Sequence, residues 1–145
     1  MLRNSKLAPL DVTDKDWLIQ SKLSYEESQE LKHMGRWALP YPRRNINEVW
    51  KSIRHMYKHD ELGNCKYVMC STGKDNKEKN SVILFYFDSS KQEDKIKEYG
   101  NMLIEKLKYK PPSGVHGIYY KSKTIGADKK YLYKIDLNID DSESD

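Results

Sequence analysis

Apolar side chains recur along this chain at two different periods. In NINEVWKSIRHMYKHDELG, residues Ile46, Val49, Trp50, Ile53, Met56 and Tyr57 return at helical spacing and form one stripe. Asn45 stands at the cap position, Glu48 lies three residues on, and Gly63 is placed to stop the segment, so the pattern predicts a helix over 46–60. KQEDKIKEYGNMLIEKLK repeats the design, with Ile96, Tyr99, Leu103 and Leu107 behind a Ser90 cap, and predicts a helix over 91–107. Ser24-Tyr25-Glu26-Glu27 has the spacing of a capping box and predicts a shorter helix that ends near Met34-Gly35.

Between these stretches the period shortens. CKYVMCS and SVILFYFDS flank the charged loop GKDNKEKN and read as an antiparallel pair joined by more than a tight turn. SVILFYFDS is apolar without interruption, the signature of a strand buried on both faces at the centre of a sheet. Strands are expected near 35–40, 65–71, 81–87, 114–121 and 130–137, in a mostly antiparallel sheet. This is an α+β order, without internal repeat and without a glycine-rich phosphate loop after a strand.

With 145 residues the chain fits one domain. The expected organisation is a partly disordered N-terminal segment over 1–23, the α+β domain over 24–137, and an acidic disordered tail over 138–145. Mean hydropathy is low, −0.91, but 11 tyrosines and three tryptophans supply bulk for a core. No run of about 18 apolar residues is present, and MLRNSKLAPLDV lacks the apolar centre of a secretion signal, so the expected location is the cytoplasm or nucleus, with no membrane partner and a monomeric chain. Cys65 and Cys70, five apart on an expected strand, should face opposite ways, which argues for free thiols rather than a disulfide or a metal pair.

Charge is unevenly spread. The net value is +4, yet the last ten residues hold five acids and no base, so the remainder stands at +9. From Glu105 to Lys134 there are eight lysines against two acids. Such a field suits an anionic partner, and it suits a solvated lysine-rich surface equally well. The stretch KYKPPSGVHGIYYK lies inside it. Two prolines bar a helix and remove two donors, while Lys110, His116, Tyr119 and Lys121 gather cationic, titratable and aromatic side chains around them. The segment is either a stiff surface connector or the wall of a ligand groove.

Four local patterns in this order carry a resemblance. GRWAL leading to INEVWKSI, then LGNCKYVMCS, then VILFYFD, then YKP leading into GIYY, from about Gly35 to Tyr120, resemble the basophilic leukemia expressed protein family. That family shares the fold of the mRNA cap-binding translation initiation factor 4E. The resemblance implies a curved antiparallel sheet with helices on its convex face and a ligand groove on its concave face. Cap recognition in that fold uses two tryptophans that sandwich a cationic guanine, a Glu for the base edge, and Arg or Lys for the triphosphate. Here Tyr25-Glu26 lies where the second Trp-Glu pair falls relative to Gly-Arg-Trp, Trp17 is the one stand-in for the first stacking tryptophan, and Trp37 and Trp50 read as core.

The family also carries a relationship to phosphothreonine lyases. Eliminating phosphate from phosphothreonine needs a base for the Cα proton, an acid for the departing phosphate and cations for its dianion. Under the resemblance Lys66, Lys110, His116 and Arg36 could fill those roles, Lys66 and Lys110 matching the family's lysines, which leaves Lys66 and His116 as the catalytic candidates. Two functions therefore stand: a binding module that takes RNA or a phosphorylated nucleotide on a basic concave surface through Lys66, Lys110, His116, Arg36, Tyr119 and Lys121, or a lyase-like enzyme acting on a phosphoprotein. Neither calls for a cofactor. His55 and His59 share one helix face without a third ligand in view, so no metal site is expected.

Overall fold

The computed structural model describes residues 7–22, 34–74, 79–88, 92–122 and 132–137. Six strands make one antiparallel sheet: β1 (Trp17–Ser21), β2 (Met34–Pro42), β3 (Tyr67–Ser71), β4 (Asn80–Asp88), β5 (Gly117–Ser122) and β6 (Tyr133–Asp136), in the order β1-β3-β4-β2-β5-β6. β4, the uninterrupted apolar run, is central, and its partner β2 matches it over nine residues, from Met34 opposite Asp88 to Pro42 opposite Asn80. Every expected strand is present, with ends shifted by up to three residues. The sheet also takes in Trp17–Ser21, from the segment that the sequence reading set ahead of the domain. The short turn Pro9–Asp11 is tied down as well: Gly73 N–H donates to Pro9 O (2.9 Å) and Leu10 N–H to Asn47 Oδ1 (3.0 Å). The capping box at 24–27 and the tail 138–145 lie outside the described residues.

Strand alternation sorts the side chains. One face of the sheet presents Leu18, Val68, Cys70, Ile83, Phe85, Phe87, Trp37, Leu39 and Tyr120 to helices α1 (Ile46–Lys58) and α2 (Glu93–Leu107). α1 buries Ile46, Trp50, Ile53 and Tyr57, and α2 buries Ile96, Tyr99, Gly100 and Leu103, in one cluster. Both helices thus cover the same face. Gly100 is the residue that the periodicity did not flag. A Cβ there would come within 2.8 Å of the Trp37 ring, so its absence lets α2 lie flush on β2, where Trp37 Nε1–H donates to Ile96 O (3.0 Å).

The helix ends depart from expectation. Asn45 is helical in conformation and makes no side-chain cap bond, because the turn Arg43–Asn45 runs straight into α1 and supplies the first backbone bond itself. Ser90 lies outside the described residues, and Gln92 stands at the α2 cap. The two thiols do not face apart. Cys65 precedes β3, where strand alternation has not begun, and both sulfurs pack on the main core. Both are free, and burial pushes the Cys65 thiol up to about 12 and raises that of Cys70.

Candidate functional site

The face away from the helices reads in rows across the strands. One row runs Ser21, Tyr67, Tyr86, Arg36, Lys121; the next runs Ile19, Met69, Leu84, Ala38, Tyr119, Lys134. A third, at the opposite end of the strands, holds Trp17 beside Ser71 and Val82 beside Pro40. The middle strands carry a second apolar cluster around Met34, Leu84 and Tyr86, against which Trp17, Tyr67 and Met69 pack. Over β5 and β6 the face opens: Tyr119 is 40% exposed, with Lys134 Nζ 5.6 Å from its ring centroid.

Of the sequence-derived candidates, Arg36, Tyr119 and Lys121 share this face. Arg36 is engaged there, because its guanidinium hydrogen-bonds the Tyr86 phenol, whose ring stacks on Tyr67 at 4.2 Å and 15°. Burial raises both phenols, and the nearby Arg36 charge partly opposes the rise. Lys66 is tied to the same end of the sheet, its N–H donating to Tyr86 O (2.7 Å) and its carbonyl accepting from Tyr57 Oη (2.6 Å). Lys110 lines a cleft at the opposite end together with Asn80. Asn80 is six residues from Tyr86 along β4, about 20 Å at strand rise. His116 is exposed just before β5, at the Lys110 end, its carbonyl accepting from Leu137 N–H (2.9 Å).

Lys66 and His116 are therefore held at opposite ends of one sheet and do not converge on a common point. An elimination needs base, acid and phosphate cations around a single residue of substrate, and this arrangement does not bring the four proposed groups together.

What the fold does bring together is a cleft of about 480 Å³ at the third row. Partly buried Trp17 forms one side, Pro40, Val82 and Val115 add apolar wall, and Ser71 and Asn80 supply a hydroxyl and an amide. Arg43 and Lys74 stand at its rim with Asp16, which pairs with Lys74 at 3.4 Å between two exposed side chains. Such a pair is weak in water and readily exchanged for a better anion. Local sequence positions these groups. Thr72 Oγ1 donates to Lys15 O and accepts from Lys74 N–H (3.2 Å), folding the β3 exit against the chain before β1. Arg43 N–H donates to Lys79 O (3.3 Å), extending the β2–β4 ladder one step so that the arginine leaves at the sheet end. The sequence offered Trp17 only as the stand-in for a stacking tryptophan; the available signal for Arg43 was a pair of arginines between PYP and a helix start.

No family model matches the chain, and no curated protein matches it. Solved structures do. The chain is similar to Ascaris suum eIF4E-3 in complex with an m2,2,7G cap, at 15% identity and TM-score 0.56, over 82% of this chain and 67% of that one. The same Ascaris protein with an m7G cap aligns at 16% identity and TM-score 0.55 over the same shares. A Schistosome eIF4E complexed with m7GpppG and 4E-BP aligns at 16% identity and TM-score 0.55, over 93% of this chain and 75% of that one. The fold is thus eIF4E-like: a curved six-stranded antiparallel sheet with two helices on one face.

Proposed function

We propose that the chain is a nucleotide-binding module of eIF4E-like fold, related to the basophilic leukemia expressed protein family, that seats a phosphorylated nucleotide in the far-face cleft beside Trp17. The observation that carries this reading is the juxtaposition in that cleft of a partly exposed indole with Arg43 and Lys74 on the same rim. A base stacks on the indole, an interaction worth about 1–3 kcal/mol. The phosphates meet the guanidinium and ammonium groups, which favour an anion as paired donors and point charge respectively. Ser71 and Asn80 offer hydrogen-bond partners to base and sugar. The cap complexes formed by the Ascaris and Schistosome proteins support a nucleotide as the ligand class.

Among the described residues Trp17 is the one tryptophan on this face, since Trp37 and Trp50 are buried under the helices. Its indole is a platform on which a guanine base of either methylation state stacks. The test is a titration of the wild-type protein and Trp17→Ala with GTP and with 7-methylguanosine triphosphate. The expected result is binding of both by the wild type within about one order of magnitude, and a loss of about tenfold or more in the variant, the size of one stacking contact. Equal affinities in wild type and variant would overturn the assignment of the cleft.

A further inference from the structure

A second cleft, of about 890 Å³, opens at the same end of the sheet but around on the helix side. Tyr41, Val49 and Leu107 give it an apolar back, and the connector from Lys108 to Ser113 forms its lip. Four lining residues are cations, Arg44, Lys79, Lys108 and Lys110, and none is a carboxylate. Among the described residues none of the four is in an ion pair. Like charges around one cavity repel, and an anion placed between them relieves that repulsion.

The lip is built to hold its cations in place. α2 ends at Lys108, which sits at φ 49° and ψ 50°, the left-handed conformation that a glycine occupies at most such helix ends. Lys108 N–H donates to Glu105 O (3.2 Å) and Tyr109 N–H to Ile104 O (3.0 Å), closing the helix while the chain turns away. The Tyr109 hydroxyl then donates to Pro40 O, and its ring meets Tyr41 edge-on at 5.2 Å. Pro111 and the buried Pro112 stiffen the next two positions. A lysine in a conformation that suits glycine is a cost to the fold.

The two clefts adjoin at this end of the sheet. Asn80 lines both, and the consecutive residues Arg43 and Arg44 line one each. We propose that the larger cleft is the subsite for the backbone phosphates of a single-stranded oligonucleotide whose first nucleotide lies beside Trp17. This inference rests on the nucleotide-binding reading above. Two cation-lined clefts in sequence call for a ligand with anions repeated along its length. A peptide with one phosphate fills either cleft but not both.

The experiment compares GTP with a 5′-triphosphorylated pentaribonucleotide beginning in guanosine, using wild-type protein, Trp17→Ala, Lys108→Gly and Lys110→Glu. The pentanucleotide is expected to bind the wild type about tenfold or more tightly than GTP, with a salt dependence steeper by about 0.7 in log–log slope for each added phosphate contact. Lys108→Gly and Lys110→Glu are expected to remove most of that gain and to flatten the slope, while leaving GTP binding unchanged. Lys108→Gly should melt no lower than wild type, so its loss of binding is not a loss of fold. A pentanucleotide that binds no better than GTP, or a gain that survives both substitutions, overturns the proposal and leaves the Trp17 cleft standing. GTP binding indifferent to Trp17→Ala overturns the nucleotide cleft instead; a pentanucleotide still weakened by Lys110→Glu then supports the larger cleft as a phosphate site, and one not weakened overturns it as well. A phosphothreonine peptide that matches the pentanucleotide in affinity and in sensitivity to both lysines overturns the assignment to an oligonucleotide.

Discussion

The two faces of this sheet are made of the same strands, yet one is closed by the protein's own helices and the other ends in a cleft. On the helix side Trp37, Phe85, Phe87 and Tyr120 are fully buried and share a cluster with Trp50 and Leu103. On the far side the apolar material thins toward β5 and β6, and Tyr119, Lys121, Lys134 and Asp136 are exposed. The contrast separates two kinds of consequence. Changes on the covered face and in the buried far-face cluster around Met34, Leu84 and Tyr86 are expected to act on stability, and under the proposed function changes at the far-face rim are expected to act on binding.

The sharpest way to break that contrast is Trp37→Ala, which removes a fully buried ring and the donor to Ile96 O. The expected loss is about 3–5 kcal/mol in urea denaturation. Tyr119→Ala, one row over on the far face, should stay within about 0.5 kcal/mol of wild type. If the two cost the same, the faces are not energetically distinct.

Gly100→Ala comes next. Alanine gains about 1 kcal/mol of helix propensity, but the new Cβ would fall 2.6 Å from Ile135 Cδ1 and 2.8 Å from the buried Trp37 ring. Overpacking of this kind costs about 1–3 kcal/mol and should outweigh the propensity, lowering the melting temperature. A variant more stable than wild type would mean that α2 does not lie flush on β2.

The double prolines sharpen the comparison at the rim. The sequence reads them as a surface segment whose replacement costs affinity more than stability, but Pro112 is buried while Pro111 is only partly so. Pro111→Ala should cost about 0.4–1 kcal/mol through chain entropy, together with some affinity for the pentanucleotide. Pro112→Ala should cost more stability than Pro111→Ala in thermal melts.

A further expected effect is one of pH. Burial raises the Cys65 thiol from an ordinary value of 9.0 to about 12. The folded chain therefore keeps the proton over a range in which the unfolded chain releases it. Stability from this site is fully present below pH 9 and declines as pH rises from 9 toward 12. Thermal melts between pH 8 and about 10.5 should show a fall that Cys65→Ala diminishes, and at pH 8 the thiol should react slowly with alkylating reagents.

Much of this architecture is legible along the chain. The stripe Ile46, Trp50, Ile53, Tyr57 and the stripe Ile96, Tyr99, Leu103 name the buried helix faces, because helical periodicity is a local property that only burial can reward. The unbroken apolar run 82–87 identifies the central strand for the same reason. Candidate cations were legible as residue types but not as a site. Lys66 and Lys110 read alike in sequence, and it is the antiparallel ladder that puts them at opposite ends of β4.

Residue order and periodicity were enough to specify an α+β order, its strands and long helices and the apolar side of each, since local spacing dictates which side of each element must leave water. The gathering of Trp17, Arg43, Lys74 and Asn80 into one cleft, and of Arg44, Lys79, Lys108 and Lys110 into the next, required the folded register. These residues come from an edge strand, a loop, a helix entry and a helix exit that are distant along the chain. No short-range pattern encodes their meeting; it follows from strand order, and strand order is settled by which apolar faces pack together across the whole sheet.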